Sequence, residues 1–170
     1  MAEFDPVGLL RVLVEHSIRF VLIGGVAARL RGAPLLTQDV DITPADDPEN
    51  LRRLVGALED LDARLRTTTD PEGVQFPIDP HLLASADAWT LVTRLGDLDL
   101  VFLPAGSRGF SDLVRGATEM SVSLDQPLIV SVASLSDVIR TKEAAGRDKD
   151  RAALPMLRRT QEEIDSGPNL

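Results

Sequence analysis

Cysteine is absent from the 170 residues, which removes disulfides, thiolate nucleophiles and zinc–thiolate centres from consideration. Histidine is scarce: His16 and His81 are the two imidazoles, and their spacing makes no conventional metal site. His16 reads as a helix-end residue and His81 as a loop residue. Aromatic residues make up 4% of the chain; Trp89 reads as core, and no aromatic-rich basic patch suited to stacking single-stranded bases is present. Positive charge is also short, with 18 Lys and Arg against 27 Asp and Glu and a net charge of -9. A protein that wraps nucleic acid non-specifically needs a basic face to displace counterions, so any nucleic-acid contact is expected to be local. No apolar run approaches the roughly 20 residues of a membrane span, and Met1-Ala2-Glu3-Phe4-Asp5-Pro6 lacks a basic segment followed by an apolar one. A soluble, cytoplasmic protein with no membrane partner is the expectation.

What is present suffices for one substantial core: 44% of the residues are hydrophobic, and the length favours one domain over 1–170. Asp5-Pro6 reads as N-cap and first helical position of a helix carrying Leu9, Leu10, Leu13 and Val14 and ending near Ser17. Residues 19–23 read as a buried strand stopped by a Gly24-Gly25 turn, with a short helix over 26–31 closed by Gly32. Thr37 to Thr43 alternates polar and apolar residues, as a strand with one buried face does. An amphipathic helix capped by Asp47 runs to Leu61. The stretch 67–80 reads as a long surface loop, and residues 89–103 as a hairpin around Gly96. A short helix over 110–116, extended pieces over 119–124 and 128–132, a helix from Ser134 to Ala145 and another from Asp148 to about Ile164 complete the chain. The acidic stretches 45–49, 59–62 and 162–165 read as solvated helix faces and helix starts. The order implies a mixed-sheet α/β or α+β domain, with a core over about 18–132 and C-terminal helices over about 134–164.

Chemistry concentrates at Asp39 and Asp41. Two carboxylates at i and i+2 of a strand lie about 6.6 Å apart along the chain on one face, and can converge on a common ion. Such a pair suits Mg2+, which takes hard oxygen ligands from one or two carboxylates plus substrate phosphates. Gly24-Gly25, after a buried strand and before a helix, offers backbone N–H groups that can cradle phosphate oxygens.

The run Phe20-Val21-Leu22-Ile23-Gly24-Gly25-Val26-Ala27-Ala28-Arg29-Leu30-Arg31-Gly32 followed by Thr37-Gln38-Asp39-Val40-Asp41-Ile42 resembles the minimal nucleotidyltransferases of the DNA polymerase beta superfamily, in their AbiEii-like and MenT-like toxin branch. The resemblance implies a polymerase-beta-type fold and a third carboxylate from a neighbouring strand, for which Asp99 in Gly96-Asp97-Leu98-Asp99 is the better match. It further implies that Asp39, Asp41 and Asp99 hold Mg2+, that Asp99 helps deprotonate the acceptor hydroxyl, and that Gly24 and Gly25 face the nucleotide. Residues 135–150 are similar to that branch's lysine-helix and Arg-x-Lys-Asp segments. Lys142 is thereby implied as the triphosphate ligand, Arg147 and Lys149 as supporting cations, and Asp150 as a polar or helix-capping partner beside the nucleotide.

Two positions depart from the pattern. Val26 and Ala27 stand where many relatives carry a phosphate-holding serine, and Leu35 stands where many toxin-branch relatives carry arginine. Three functions follow from the resemblance. The first is a toxin of a bacterial toxin–antitoxin pair that moves a nucleoside monophosphate from an NTP to the 3′ end of tRNA, with a cognate antitoxin as partner. The second is the same chemistry on a small molecule such as an aminoglycoside, or on a protein hydroxyl, which an acidic surface suits better. The third is a degenerate domain that binds a partner without turnover.

Overall fold

The computed structural model describes residues 3–167. Helix α1 (Pro6–Glu15) starts where Asp5 accepts a hydrogen bond from the Gly8 N–H, with Pro6 in the first turn, where its missing N–H costs nothing. Strand β1 (Phe20–Ile23) is buried along its whole length. Helix α2 (Gly24–Leu30) begins on the glycine pair itself. The expected turn is therefore the helix start, and Gly24 makes the change of direction through a φ of +66° that favours glycine.

Strand β2 (Asp39–Pro44) alternates half-buried and buried residues before its last two. Helix α3 (Pro48–Asp60) is capped by the Asp47 carboxylate on the Asn50 N–H. Strand β3 (Arg64–Leu65) was not expected: two residues of the segment leading into the long loop pair with β4 (Ala88–Thr93). A further short helix, α4 (Pro80–Leu83), follows the loop and places His81 on a helix rather than in a loop. Strand β5 (Gly96–Val101) closes the hairpin with β4. Helix α5 (Phe110–Gly116), β6 (Thr118–Ser121) and β7 (Ile129–Val132) follow. Helix α6 (Leu135–Ala145) is capped by Ser134 and ends at Gly146 in the left-handed conformation, and α7 (Asp148–Asp165) runs through Pro155 without stopping.

The seven strands form one mixed sheet in the order β3-β4-β5-β2-β1-β7-β6. Pairings are antiparallel except β2 with β5 and β1 with β7, which are parallel. The expected α/β architecture with a mixed sheet is the one observed. The core joins Leu22, Val40, Ile42, Leu98 and Leu100 of the central strands to Leu9 and Leu13 of α1, Leu54 and Leu58 of α3, and Leu157 of α7. Period-two alternation then leaves Asp39 and Asp41 of β2, and Asp97 and Asp99 of β5, on the other face.

Candidate active site

Parallel pairing of β2 with β5 sets Asp39 opposite Asp97 and Asp41 opposite Asp99. One carboxylate oxygen each of Asp39, Asp41 and Asp99 lies within 4.8 Å of the other two. Strand alternation supplies the first two from neighbouring positions, and the β2–β5 register supplies the third from far along the chain. Asp97 is on the same face but engaged elsewhere: Arg66 donates to both its oxygens, with a closest contact of 2.7 Å. Asp99 is left as the carboxylate that joins the pair.

Crowding has an electrostatic signature. Burial pushes the Asp41 carboxyl up to about 7, and the charges of Asp39 and Asp99 push in the same direction, against Lys142 and Lys149. Burial likewise raises Asp99, with the charge of Asp39 adding to it. Three carboxylates in such a space repel one another until a cation arrives. Hard oxygen donors converging from rigid strands fit a divalent ion such as Mg2+.

The glycine pair is required by contact as well as by conformation. A Cβ at Gly24 would lie 2.2 Å from Asp41 Oδ2, and one at Gly25 would lie 2.8 Å from the Thr37 side chain. Thr37 in turn donates its hydroxyl to Asp39 Oδ1 at 2.7 Å. Arg31, at the end of α2, donates to the carbonyls of Val132 and Ala133 at 2.8 and 3.0 Å, and so ties the glycine helix to β7.

A cleft of about 560 Å3 runs over the carboxylates and reaches the corner between α6 and α7. Gly24, Gly25, Asp39, Asp41, Asp99, Lys142, Arg147, Lys149 and Asp150 all line it. The two ends of the cleft thus differ in charge, with carboxylates on the sheet and three cations at the helical corner. Asp150 is fully buried and accepts from Lys142 Nζ at 3.2 Å and from Arg147 Nε at 2.7 Å. Burial alone raises this carboxyl; the hydrogen bonds and charges of Arg147 and Lys142 outweigh it and hold it below its ordinary value. Its partners are side chains rather than the backbone donors a helix-capping role requires.

Trp89, expected in the core, is half-buried; it stacks on Phe76 with ring centroids 6.0 Å apart, donates Nε1–H to the Leu83 carbonyl, and borders the cleft. Thr37 and Arg66 were not singled out in the sequence. Thr37 carried a signal, since it stands two residues before Asp39 on the polar side of the alternation; Arg66 carried none.

Neither a protein-family model nor a curated protein sequence matches the chain. Solved structures do. The lincosamide antibiotic adenylyltransferase LnuA, lincomycin-bound, is similar with a TM-score of 0.59 at 13% identity, over 92% of this chain and 98% of that one. ANT(2″)-Ia in complex with adenylyl-2″-tobramycin is similar with a TM-score of 0.57 at 16% identity, over 93% of this chain and 87% of that one. The solution structure of the antibiotic-resistance factor ANT(2″)-Ia follows at 0.55 and 16% identity, over 92% and 82%. The fold is that of the polymerase-beta-type nucleotidyltransferases. Within this nucleotidyltransferase fold, the carboxylate cluster sits where β2 and β5 meet, at the centre of the sheet. Among the described residues, no helix is long and apolar enough to cross a membrane.

Proposed function

We propose that this protein is a divalent-metal-dependent nucleotidyltransferase that moves a nucleoside monophosphate from an NTP to a hydroxyl of a small-molecule acceptor. The carrying observation is the convergence of Asp39, Asp41 and Asp99 within 4.8 Å in a nucleotidyltransferase fold, facing a cationic helical corner across one cleft.

Asp39 and Asp41 would hold Mg2+ with Asp99, and the bound ion would supply neutralisation of phosphate charge. Lys142, with Arg147 and Lys149 nearby, binds the triphosphate tail through its negative oxygens. The N–H groups around Gly24 and Gly25 approach the phosphates closely because no side chain stands in the way. Asp99 accepts the proton of the acceptor hydroxyl as its oxygen bonds to the α-phosphorus. The bond from that phosphorus to the bridging oxygen breaks, and pyrophosphate leaves. Positioning and electrostatics carry catalysis of this kind.

The antibiotic acceptors named for the structural neighbours support a small-molecule acceptor, as does the net charge of -9, which attracts cationic molecules. A second reading takes the tRNA 3′ end as acceptor, in a toxin paired with an antitoxin; what favours it is the lysine-helix and Arg-x-Lys-Asp pattern of residues 135–150, whose Lys142, Arg147 and Lys149 line the cleft. Incubation with Mg2+ and each α-labelled NTP, in separate arms with tobramycin, lincomycin and bacterial tRNA, separates the two. Asp41→Asn serves as the control. Label on an antibiotic supports the first reading and label on tRNA the second. Absence of transfer in every arm by a folded protein that also fails to bind Mg2+–NTP sinks both.

A further inference from the structure

Asp150 is the only charged side chain that is fully buried among the described residues. A carboxylate taken out of water is costly unless it is paired and hydrogen-bonded, and this one is paired twice, by cations from different elements. Lys142 comes from the last turn of α6, Arg147 from the cap of α7, and Gly146, with φ +64°, makes the corner between them. Both cations line the cleft that contains Asp39, Asp41 and Asp99.

Lys142 therefore stands between two attractors. One is Asp150, a single buried carboxylate at 3.2 Å. The other is the cluster of three carboxylates, close enough for the Lys142 charge to pull against the rise at Asp41. A lysine ammonium is a compact charge on a flexible four-carbon stem, able to swing to whichever site holds it better. Arg147 donates to the same carboxylate, which the two cations hold below its ordinary value and so ionised.

We infer that Asp150 is a positioning residue that holds the Lys142 ammonium off the Asp39, Asp41 and Asp99 cluster, keeping that cluster open to a divalent cation and the ammonium free to meet phosphate. The inference rests on reading the three carboxylates as a cation site. Both oxygens of Asp150 are taken up by Lys142 and Arg147 at the wall of the cleft, so it acts through Lys142 rather than by touching nucleotide. Without its charge, Lys142 folds onto the carboxylates as an internal counter-ion and competes with the metal.

The test uses Mn2+ alone as probe, with free ion followed by electron paramagnetic resonance on the full chain, and folding checked by circular dichroism. Asp150→Asn keeps the shape and removes the charge, and is expected to weaken Mn2+ binding about tenfold, the effect of an ion-pair-sized competition. Adding Lys142→Gln to Asp150→Asn removes the competitor and is expected to restore wild-type affinity, a recovery that a merely structural defect would not show. Unchanged affinity in the single variant, or a loss that the double variant retains, overturns the inference. Should Asp150→Asn fail to fold, Asp150→Ser, measured with and without Lys142→Gln, decides by the same two criteria. A wild-type protein that does not bind Mn2+ overturns the cation-site reading together with the inference, whereas wild-type binding with an unaffected Asp150→Asn overturns the inference alone.

Discussion

Asp41→Asn should make the metal-free protein more stable while ending its response to Mg2+. The reason lies in the raised Asp41 carboxyl, which moves from the ordinary 3.8 to about 7. Between those two values the folded chain holds a proton that the unfolded chain has released, so stability falls as pH rises through this window and the full penalty is present above it. A rise of this size corresponds to about 4 kcal/mol in a site closed to water. Water entering the open cleft and relaxation of the carboxylates reduce this to about 2 kcal/mol, since partly exposed charges are screened. For a domain of this size that is a gain of about 4–8 °C in Tm. An asparagine mimics the protonated aspartate, so the variant and wild type should match below about pH 4, where Asp41 is protonated in both the folded and the unfolded chain, diverge as pH rises to about 7, and differ by a constant amount above it. Thermal melts at several pH values in EDTA measure the divergence, and repeat melts with Mg2+ should raise the wild-type Tm and leave the variant unmoved, because ligand binding stabilises only a state that binds it. A variant no more stable than wild type at pH 8, or a difference that does not grow across that rise, refutes the argument.

Gly24→Ala places a methyl group against the Asp41 carboxylate and forces alanine into a positive φ; a loss of about 1–3 kcal/mol is expected from the backbone alone, with transfer activity lost too, measurable by urea melts and the labelled-NTP assay. Asp47→Ala removes the cap of α3 and the partner of Arg19, and should cost about 1 kcal/mol, most of it from the cap, with no change in KM for NTP. Leu100→Ala opens a cavity at a fully buried site behind the carboxylates and should cost about 2–5 kcal/mol, seen as a lower denaturation midpoint. Asp99→Asn is expected to abolish transfer while preserving the fold, so its circular dichroism spectrum should match wild type.

Much of this architecture was legible where local physics decides it. Asp5-Pro6, Asp47-Pro48 and Ser134 announce helix starts because capping is a matter of neighbouring residues, and the β2 alternation announces its face because side chains on strands alternate. What was hidden depends on distant partners. The two residues of β3 carry no strand pattern of their own; they are strand because β4 runs beside them. Gly24 reads as a turn from its residue type, although it opens a helix. Asp150 was implied by resemblance as a polar or helix-capping partner beside the nucleotide, but its burial and its pairing with both Lys142 and Arg147 exist only where α6 and α7 meet. Trp89 lies on β4 beside the cleft and stacks on Phe76 of the preceding loop, a setting that no local rule supplies. The candidate site divides the same way: Asp39 and Asp41 follow from spacing, Asp99 was placed by resemblance, and its register opposite Asp41 exists only in the assembled sheet.

That register carries a kinetic consequence. Asp41 and Asp99 meet only when strands separated in sequence by α3, β3, α4 and β4 pair in parallel, and non-local parallel pairing is among the slower events in folding. The chain must therefore close a long loop while bringing like charges together, without a cation to help until the last strand is in place. Divalent metal should slow unfolding of the finished domain far more than it speeds folding, because the ion finds its three oxygens together only once the β2–β5 pairing exists.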